Sequence, residues 1–294
     1  MANLKEVKGR IQSVTSTQQI TKAMKMVAAA KLRRAQDSIL QMRPYAQKLN
    51  DILQNVSSGL EDNDDNLYGK EREENKVLII PISSDKGLCG AFNSNVFKRV
   101  TRLLEENYAS QYKRGNVTIL PIGKRSFEYY KKRGYTTVDD YADIFTKLSF
   151  EEAKLAAEYA MKGFASGDFD KVEIVYNEFK NVATQIIKAE QFLPIISNEI
   201  ESENTFETPT DYIYQPSKEN IVEELIPKSL KIQLYKAILE SNASENGARM
   251  TAMDKATDNA GELLKELKLT YNRTRQAAIT KEILEIVGGA DALG

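Results

Sequence analysis

The sequence predicts an α/β fold in which long N- and C-terminal helices form an antiparallel coiled coil and a Rossmann-like α/β domain is inserted between them. Three observations carry this reading. Along residues 240–293, small or apolar residues recur at Met250, Met253, Ala256, Ala260, Leu263, Leu267, Tyr271, Thr274 and Ala278, in steps of three and four without a proline. So narrow a face, on a helix of about seven turns or more, wants a partner helix and not a flat sheet. A matching pattern opens the chain, and the stretch between the two alternates short apolar runs with helical periods.

The opening pattern runs Leu4, Val7, Ile11, Val14, then Ile20, Met24, Val27, then Leu32, Ala35, Ile39 and Met42. Pro44 can kink or restart the helix, but Tyr45, Leu49, Leu53 and Val56 resume the stripe as far as residues 57–59, Ser-Ser-Gly. A nearly continuous helix of that length spans roughly 80 Å. The expected domains are residues 1–58 (N-terminal helix), 76–196 (α/β domain) and 218–294 (C-terminal helix), with 197–217 as exit linker and one short strand at 211–215.

Within the α/β block, VLIIPI at 77–82 reads as a strand that ends at Pro81 or lies near an edge. A helix follows through Val96, Val100, Leu103 and Leu104. Next come a strand at 117–122, a helix at 126–133 stopped by Gly134, a helix at 150–164, and strands at 172–179 and 184–193. The acidic stretches 61–75 and 196–220 read as exposed linkers. From about Lys218 the chain is helical, with Pro227 tolerable in a first turn or as a kink. Leaving along one helix and returning along the other, the two ends pack most simply antiparallel.

Composition narrows the function classes. With 294 residues and 41% hydrophobic residues the chain can build an ordinary core. No window approaches eighteen apolar residues, and the charged N-terminus resembles neither signal nor transit peptide, so membrane association is expected only through partners. Net charge is near zero, 41 Lys and Arg against 42 Asp and Glu, yet residues 1–57 carry ten basic residues against three acidic ones. That asymmetry suits nucleic acid or the acidic surface of another protein. The aromatics that would stack bases are missing until Tyr45, which favours the protein surface. Histidine is absent, which removes the usual general base and the commonest zinc ligand. The single cysteine, Cys89, excludes an intrachain disulfide and, with no histidine to activate it, reads as a buried small side chain.

SSDKGLCGAFN, residues 83–93, is the most enzyme-like segment, since glycines between a strand and a helix can present amides to phosphate. Its spacing is neither GxGxxG nor GxxxxGK[ST], so a structural turn is the default, and a nucleotide-binding α/β protein with helical arms is the alternative reading. Gly123-Lys124-Arg125 is no P-loop, because position 118 is threonine where that loop needs glycine. In the C-terminal helix, Arg249, Arg273, Arg275, Gln276, Thr280, Glu282 and Glu285 are candidates for contacts across an interface, against the plain alternative of a solvated charged face.

Three ordered motifs resemble the γ subunit family of F-type ATP synthases. They are ITKAMKMVAAAKLRRAQ at 20–36, followed by Arg43-Pro44-Tyr45; SDKGLCGAFN at 84–93; and ESNASENGARMTAM, leading through Tyr271-Asn272 to RQAAITKEILEIVGGADAL. The last fits the family signature through Ile279, Thr280, Glu282, Glu285, Gly289, Ala290 and Ala292. The resemblance implies a central rotor stalk whose coiled coil reaches into a hexamer of α and β subunits, with the α/β domain beside the ε subunit and the membrane c-ring. It implies no catalytic residue, cofactor or metal ligand on this chain, and no nucleic-acid partner. Implied partner contacts are Met24, Lys25, Lys31, Arg33 and Arg34 toward the β subunits' acidic lower loop, and Arg249, Gln276, Thr280 and Glu282 toward the β subunits' loops, with Arg275 and Glu285 as further candidates along the C-terminal helix. Chloroplast relatives carry a regulatory cysteine pair, which Cys89 alone cannot provide. The expected location is the cytoplasmic face of a bacterial plasma membrane, held there through the complex.

Overall fold

The computed structural model describes residues 4–57, 67–70, 72–195 and 218–291, and the strand expected at 211–215 lies outside them. Helix α1 covers Leu4–Ser57 and helix α6 covers Lys218–Asp291. Both expected prolines lie inside helices: Pro44 sits on an exposed face of α1, and Pro227 lies within α6. The chain divides into two compact units, Met1–Ala30 with Arg249–Gly294, and Lys31–Ala248. Each long helix contributes to both.

In the first unit the two helices run antiparallel. Thr21 Oγ1 lies 2.8 Å from Thr257 Oγ1, Gln18 Nε2 donates to the Thr257 carbonyl at 3.4 Å, and Lys25 Nζ meets Asp254 Oδ1 at 2.5 Å. A stripe of buried or half-buried positions on α1 runs Leu4, Val7, Ile11, Val14, Gln18, Thr21, Lys25 and Ala28, in alternating steps of three and four, with Thr15, Met24 and Ala29 half-buried beside it. On α6 the matching stripe is Met253, Thr257, Ala260, Leu264, Leu267, Tyr271, Thr274 and Ala278, with Asp254, Ala256 and Gly261 half-buried beside it. A strict seven-residue repeat is the signature of coiled-coil packing. Two expectations from periodicity are corrected here. Leu264 and not Leu263 enters the seam, and the middle of α1 turns Gln18, Thr21 and Lys25 inward while Ile20 and Val27 stay exposed. The polar residues win the seam because each finds a partner across it.

The second unit holds a five-stranded sheet in the order β3-β2-β1-β4-β5. Its strands are β1 (Val77–Pro81), β2 (Val117–Ile119), β3 (Thr136–Thr137), β4 (Lys171–Phe179) and β5 (Gln185–Leu193). The first four are parallel and β5 is antiparallel to β4. β1 is therefore central, and Pro81 is tolerated because it is the last residue of the strand. Alternation along β1 sends Leu78 and Ile80 to one face and Val77 and Ile79 to the other, and both faces are covered.

The first face packs on α5 (Phe150–Ser166) through Ala153, Ala156, Ala157, Ala160 and Phe164, and on α6 through Ile226, Leu230, Leu234, Ala237 and Ile238. The second packs on α2 (Phe92–Glu106) and α4 (Lys124–Lys132), with the short α3 (Ala109–Lys113) between them in sequence. Ser149 caps α5 by accepting the Glu152 N–H, and Gly167 ends it in the left-handed region at φ 81°.

The middle of α6 is covered on nearly every side: Ala237, Ile238, Leu239, Glu240, Ser241, Ala243 and Ser244 are all buried. Glu240 is 3% exposed. Burial, with Glu178 nearby, holds its carboxyl above the ordinary range despite the opposing pull of Lys236, Arg43 and Lys188. Lys188 itself bonds Glu178 at 2.8 Å, and Glu190 accepts from Tyr176 Oη at 2.9 Å.

Candidate partner interface

The residues expected to meet partners fall in both units. In the first, Met24 is half-buried, and Lys25 is turned along the helix pair to Asp254, leaving its side chain 36% exposed. Arg249 is half-buried at the start of the α6 portion. Arg275, Gln276, Thr280, Glu282 and Glu285 are exposed, with Glu285 Oε1 3.5 Å from Lys281 Nζ one turn back. In the second unit Lys31, Arg33 and Arg34 are exposed on α1.

Extending the register set by Thr21 against Thr257 places Leu4 opposite Thr274. Beyond Ala278, α6 has no helical partner among the described residues, yet its sequence does not turn polar. Ile279, Ile283, Leu284, Ile286 and Val287 are 48 to 71% exposed. By helical spacing Gln276 and Thr280 share a face with Ile283 and Val287, while Arg275 and Glu282 share one with Ile279 and Ile286. Three further large apolar side chains, Ile20, Met26 and Val27, stand exposed on α1 at 57 to 62%. An apolar surface of this kind marks a place where another molecule packs. None of these eight residues is among the candidate contacts read from the sequence. The signal was available in Ile20 and Val27, which fit the apolar count but break the seven-residue phase.

The glycine loop at 83–93 lies at the carboxyl end of β1, next to β4, the switch point where open α/β sheets bind ligands. Its polar groups are turned on the chain itself. Asp85 Oδ1 accepts the N–H of Lys124, Ser83 Oγ that of Ser126, and the Ser84 carbonyl that of Arg125, so the first amides of α4 are capped by the loop. Ser84 N donates to Asn93 Oδ1 at 3.0 Å, and Asn93 Nδ2 lies 2.8 Å from Ser84 Oγ and 3.3 Å from Cys89 Sγ. Gly123, at φ 97°, brings the backbone so close that a Cβ there would lie 2.2 Å from the Ser83 carbonyl oxygen. An anion at α4 would meet amides already bonded and a carboxylate already in place, an arrangement that favours a structural role for the loop. Cys89 is 1% exposed. Among the described residues, no group of three or more His, Cys, Asp or Glu is placed to hold a metal, and no helix is long and apolar enough to cross a membrane.

Comparison with known proteins gives these features a family. The ATP synthase family (ATP-synt) matches residues 3–293. The ATP synthase gamma chain of Cytophaga hutchinsonii is 60% identical over 293 residues, covering 100% of this chain and 99% of the relative. That of Chloroherpeton thalassium is 51% identical over 300 residues, with the same coverage. Among solved structures, a chain of the Euglena gracilis mitochondrial ATP synthase (OSCP/F1/c-ring, rotational state 3) superimposes with a TM-score of 0.67 at 22% identity, covering 99% of this chain and 94% of that one. A chain from the central stalk and c-ring of the Tetrahymena thermophila mitochondrial enzyme gives a TM-score of 0.56 at 24% identity, over 81% and 99%. The fold thus recurs in those assemblies, and the near-complete match to curated relatives at 51 to 60% identity is decisive: the chain belongs to the ATP synthase gamma chain family.

Proposed function

We propose that this chain is the turning shaft of its ATP synthase, carrying rotation between a ring of membrane c subunits and a hexamer of alternating α and β subunits where ATP is made or hydrolysed. Residues 1–58 and 218–294 form the shaft, and residues 76–196 form the part that sits beside the ε subunit and the c-ring. The chain supplies no catalytic group and holds no cofactor or metal; its work is to present a different face to each β subunit in turn. It is held at the cytoplasmic face of a bacterial plasma membrane through its partners.

The observation that supports this best is the run of exposed apolar side chains at residues 279–287, past the end of the helix pair. Apolar contact is non-directional, so such a tip can turn within an apolar sleeve without one angle being locked. The charged and polar candidates Arg249, Arg275, Gln276, Thr280, Glu282 and Glu285 would then exchange partners with successive subunits, as would Met24, Lys25, Lys31, Arg33 and Arg34 with an acidic loop. Each partly exposed ion pair is worth about 1 kcal/mol or less, small enough to break at every step. Coupling follows because each shaft angle suits one subunit conformation better than the others. The test is assembly: the chain alone hydrolyses no ATP, and mixed with α and β subunits it forms a stable, active complex. Hydrolysis by the isolated chain, or failure to assemble, would refute the proposal.

A further inference from the structure

The middle of the helix pair in the first unit is polar where a coiled coil is ordinarily apolar. Gln18, Thr21 and Lys25 occupy three consecutive seam positions of α1 and face Asp254 and Thr257 of α6. Above and below them the seam is built of Val7, Ile11, Val14 and Ala28 on one side and Met253, Ala260, Leu264 and Leu267 on the other. Those residues are interchangeable in character, so they describe a stripe without numbering it. A shift by a whole heptad would again set mostly apolar residues against small or apolar ones, with Val14 on Tyr271 and Ile11 on Thr274.

We propose that the layer of Gln18, Thr21, Lys25, Asp254 and Thr257 fixes the register of the two helices, acting as positioning residues for the shaft. The contacts are specific to one alignment. Thr21 and Thr257 share a hydrogen bond, Gln18 Nε2 donates to the Thr257 carbonyl at 3.4 Å, and Gln18 closes on Gly261, where a Cβ would lie 3.1 Å from its Nε2. A slip of one heptad sets Thr21 against Leu264, Thr257 against Ala28 and Lys25 against Gly261. The bonds between the helices are then lost: Thr21 and Thr257 keep only those to the Gln18 and Met253 carbonyls of their own helices, and the Lys25–Asp254 pair, 36% and 48% exposed, is separated. A polar group at a seam position trades some stability for a single alignment in this way. Lys25 acquires a role inside its own chain, whatever its outer surface meets.

The test reads alignment on the full chain and does not depend on whether the chain turns in a complex. The native register places Ile11 opposite Leu267. A seven-residue step moves a position about 10.5 Å along a helix, beyond disulfide reach. Ile11→Cys with Leu267→Cys therefore reports the native register, and Ile11→Cys with Thr274→Cys reports a slip, each followed by mild oxidation and peptide mapping, which separates these thiols from the buried Cys89. With the native layer the first pair should form its disulfide at least about tenfold faster than the second. In a chain carrying Thr21→Leu, Lys25→Leu, Asp254→Leu and Thr257→Leu the ratio should fall to about twofold. A ratio that stays at tenfold in that chain overturns the proposal. If that chain does not fold, Lys25→Asp alone should lower the ratio and Lys25→Asp with Asp254→Lys should restore it; a ratio unmoved by the single reversal overturns the proposal equally.

Discussion

Leu263 and Leu264 are adjacent, identical in type and both in α6, but only Leu264 enters the helix pair: it is 8% exposed and Leu263 is 44% exposed. Replacing each in turn with alanine leaves helix propensity matched, so the difference between the variants isolates packing. Leu264→Ala removes side-chain atoms from between two helices with no other layer to fill the gap. The expected cost is about 2–3 kcal/mol, near the low end for buried leucine because the seam is open to water at its margins. Leu263→Ala should cost about 0.5 kcal/mol or less, as surface changes do. Native-state amide hydrogen exchange along residues 253–278 suits the purpose, since it reads local opening without assuming that the two units unfold together. Leu264→Ala should raise exchange there roughly thirtyfold or more, and Leu263→Ala about twofold. Equal effects, or a larger one at Leu263, would mean that the seam has the phase that apolar counting alone predicts.

Three further outcomes test other parts of the molecule. The Glu240 carboxyl is held above its ordinary value of 4.5, so folding pays no ionisation penalty below about pH 4.5, accrues one as pH rises toward the raised value, and carries it in full above. Glu240→Gln should accordingly be more stable than the parent at pH 7.5 and lose that advantage by pH 4.5, as read by urea unfolding; a pH-independent difference would contradict the assignment. Gly123→Ala must fit a Cβ 2.2 Å from the Ser83 oxygen at φ 97° and should cost about 3 kcal/mol or more, whereas Gly115→Ala, at φ 75° with open space around it, should cost about 1 kcal/mol in the same thermal melts. Cys89, 1% exposed, should react with a thiol reagent at least about a hundredfold more slowly in the native chain than in urea, and rapid native labelling would show that the loop opens.

Much of the architecture could be read from the residues because its signals are long. Fifty-four helical residues in α1 and seventy-four in α6 repeat their pattern many times, and the nine-residue strands β4 and β5 are β-branched or aromatic enough to stand out. What escaped is short or depends on partners. β3 has two residues and α3 five, too few to display a period. Around residue 20 of α1 apolar counting points to the wrong phase, because Ile20 and Val27 are more apolar than Gln18, Thr21 and Lys25, and only the facing helix shows that Thr257 and Asp254 satisfy the latter. Pro44 lies on an exposed face inside α1 and does not end the helix, which the dipeptide alone does not reveal. The glycine loop was identified as a special turn, but its contacts to the start of α4 join residues some forty positions apart, which no local spacing reveals. For the interface the candidates, mostly charged or polar, are legible as types, while the exposed apolar side chains at 279–287 stand out only because the helix pair ends before them.

The central claim is that the chain turns. Lys132 is exposed at the end of α4, so Lys132→Cys offers a labelling point while the buried native Cys89 stays unreactive. The variant is assembled with α and β subunits, the subunit ring is fixed to a surface, and a rod attached at residue 132 is watched while ATP is supplied. The rod should turn in one sense, with its rate following ATP hydrolysis and stopping when hydrolysis is inhibited. A rod that stays still, or only fluctuates, while the same fixed complexes hydrolyse ATP would contradict the account.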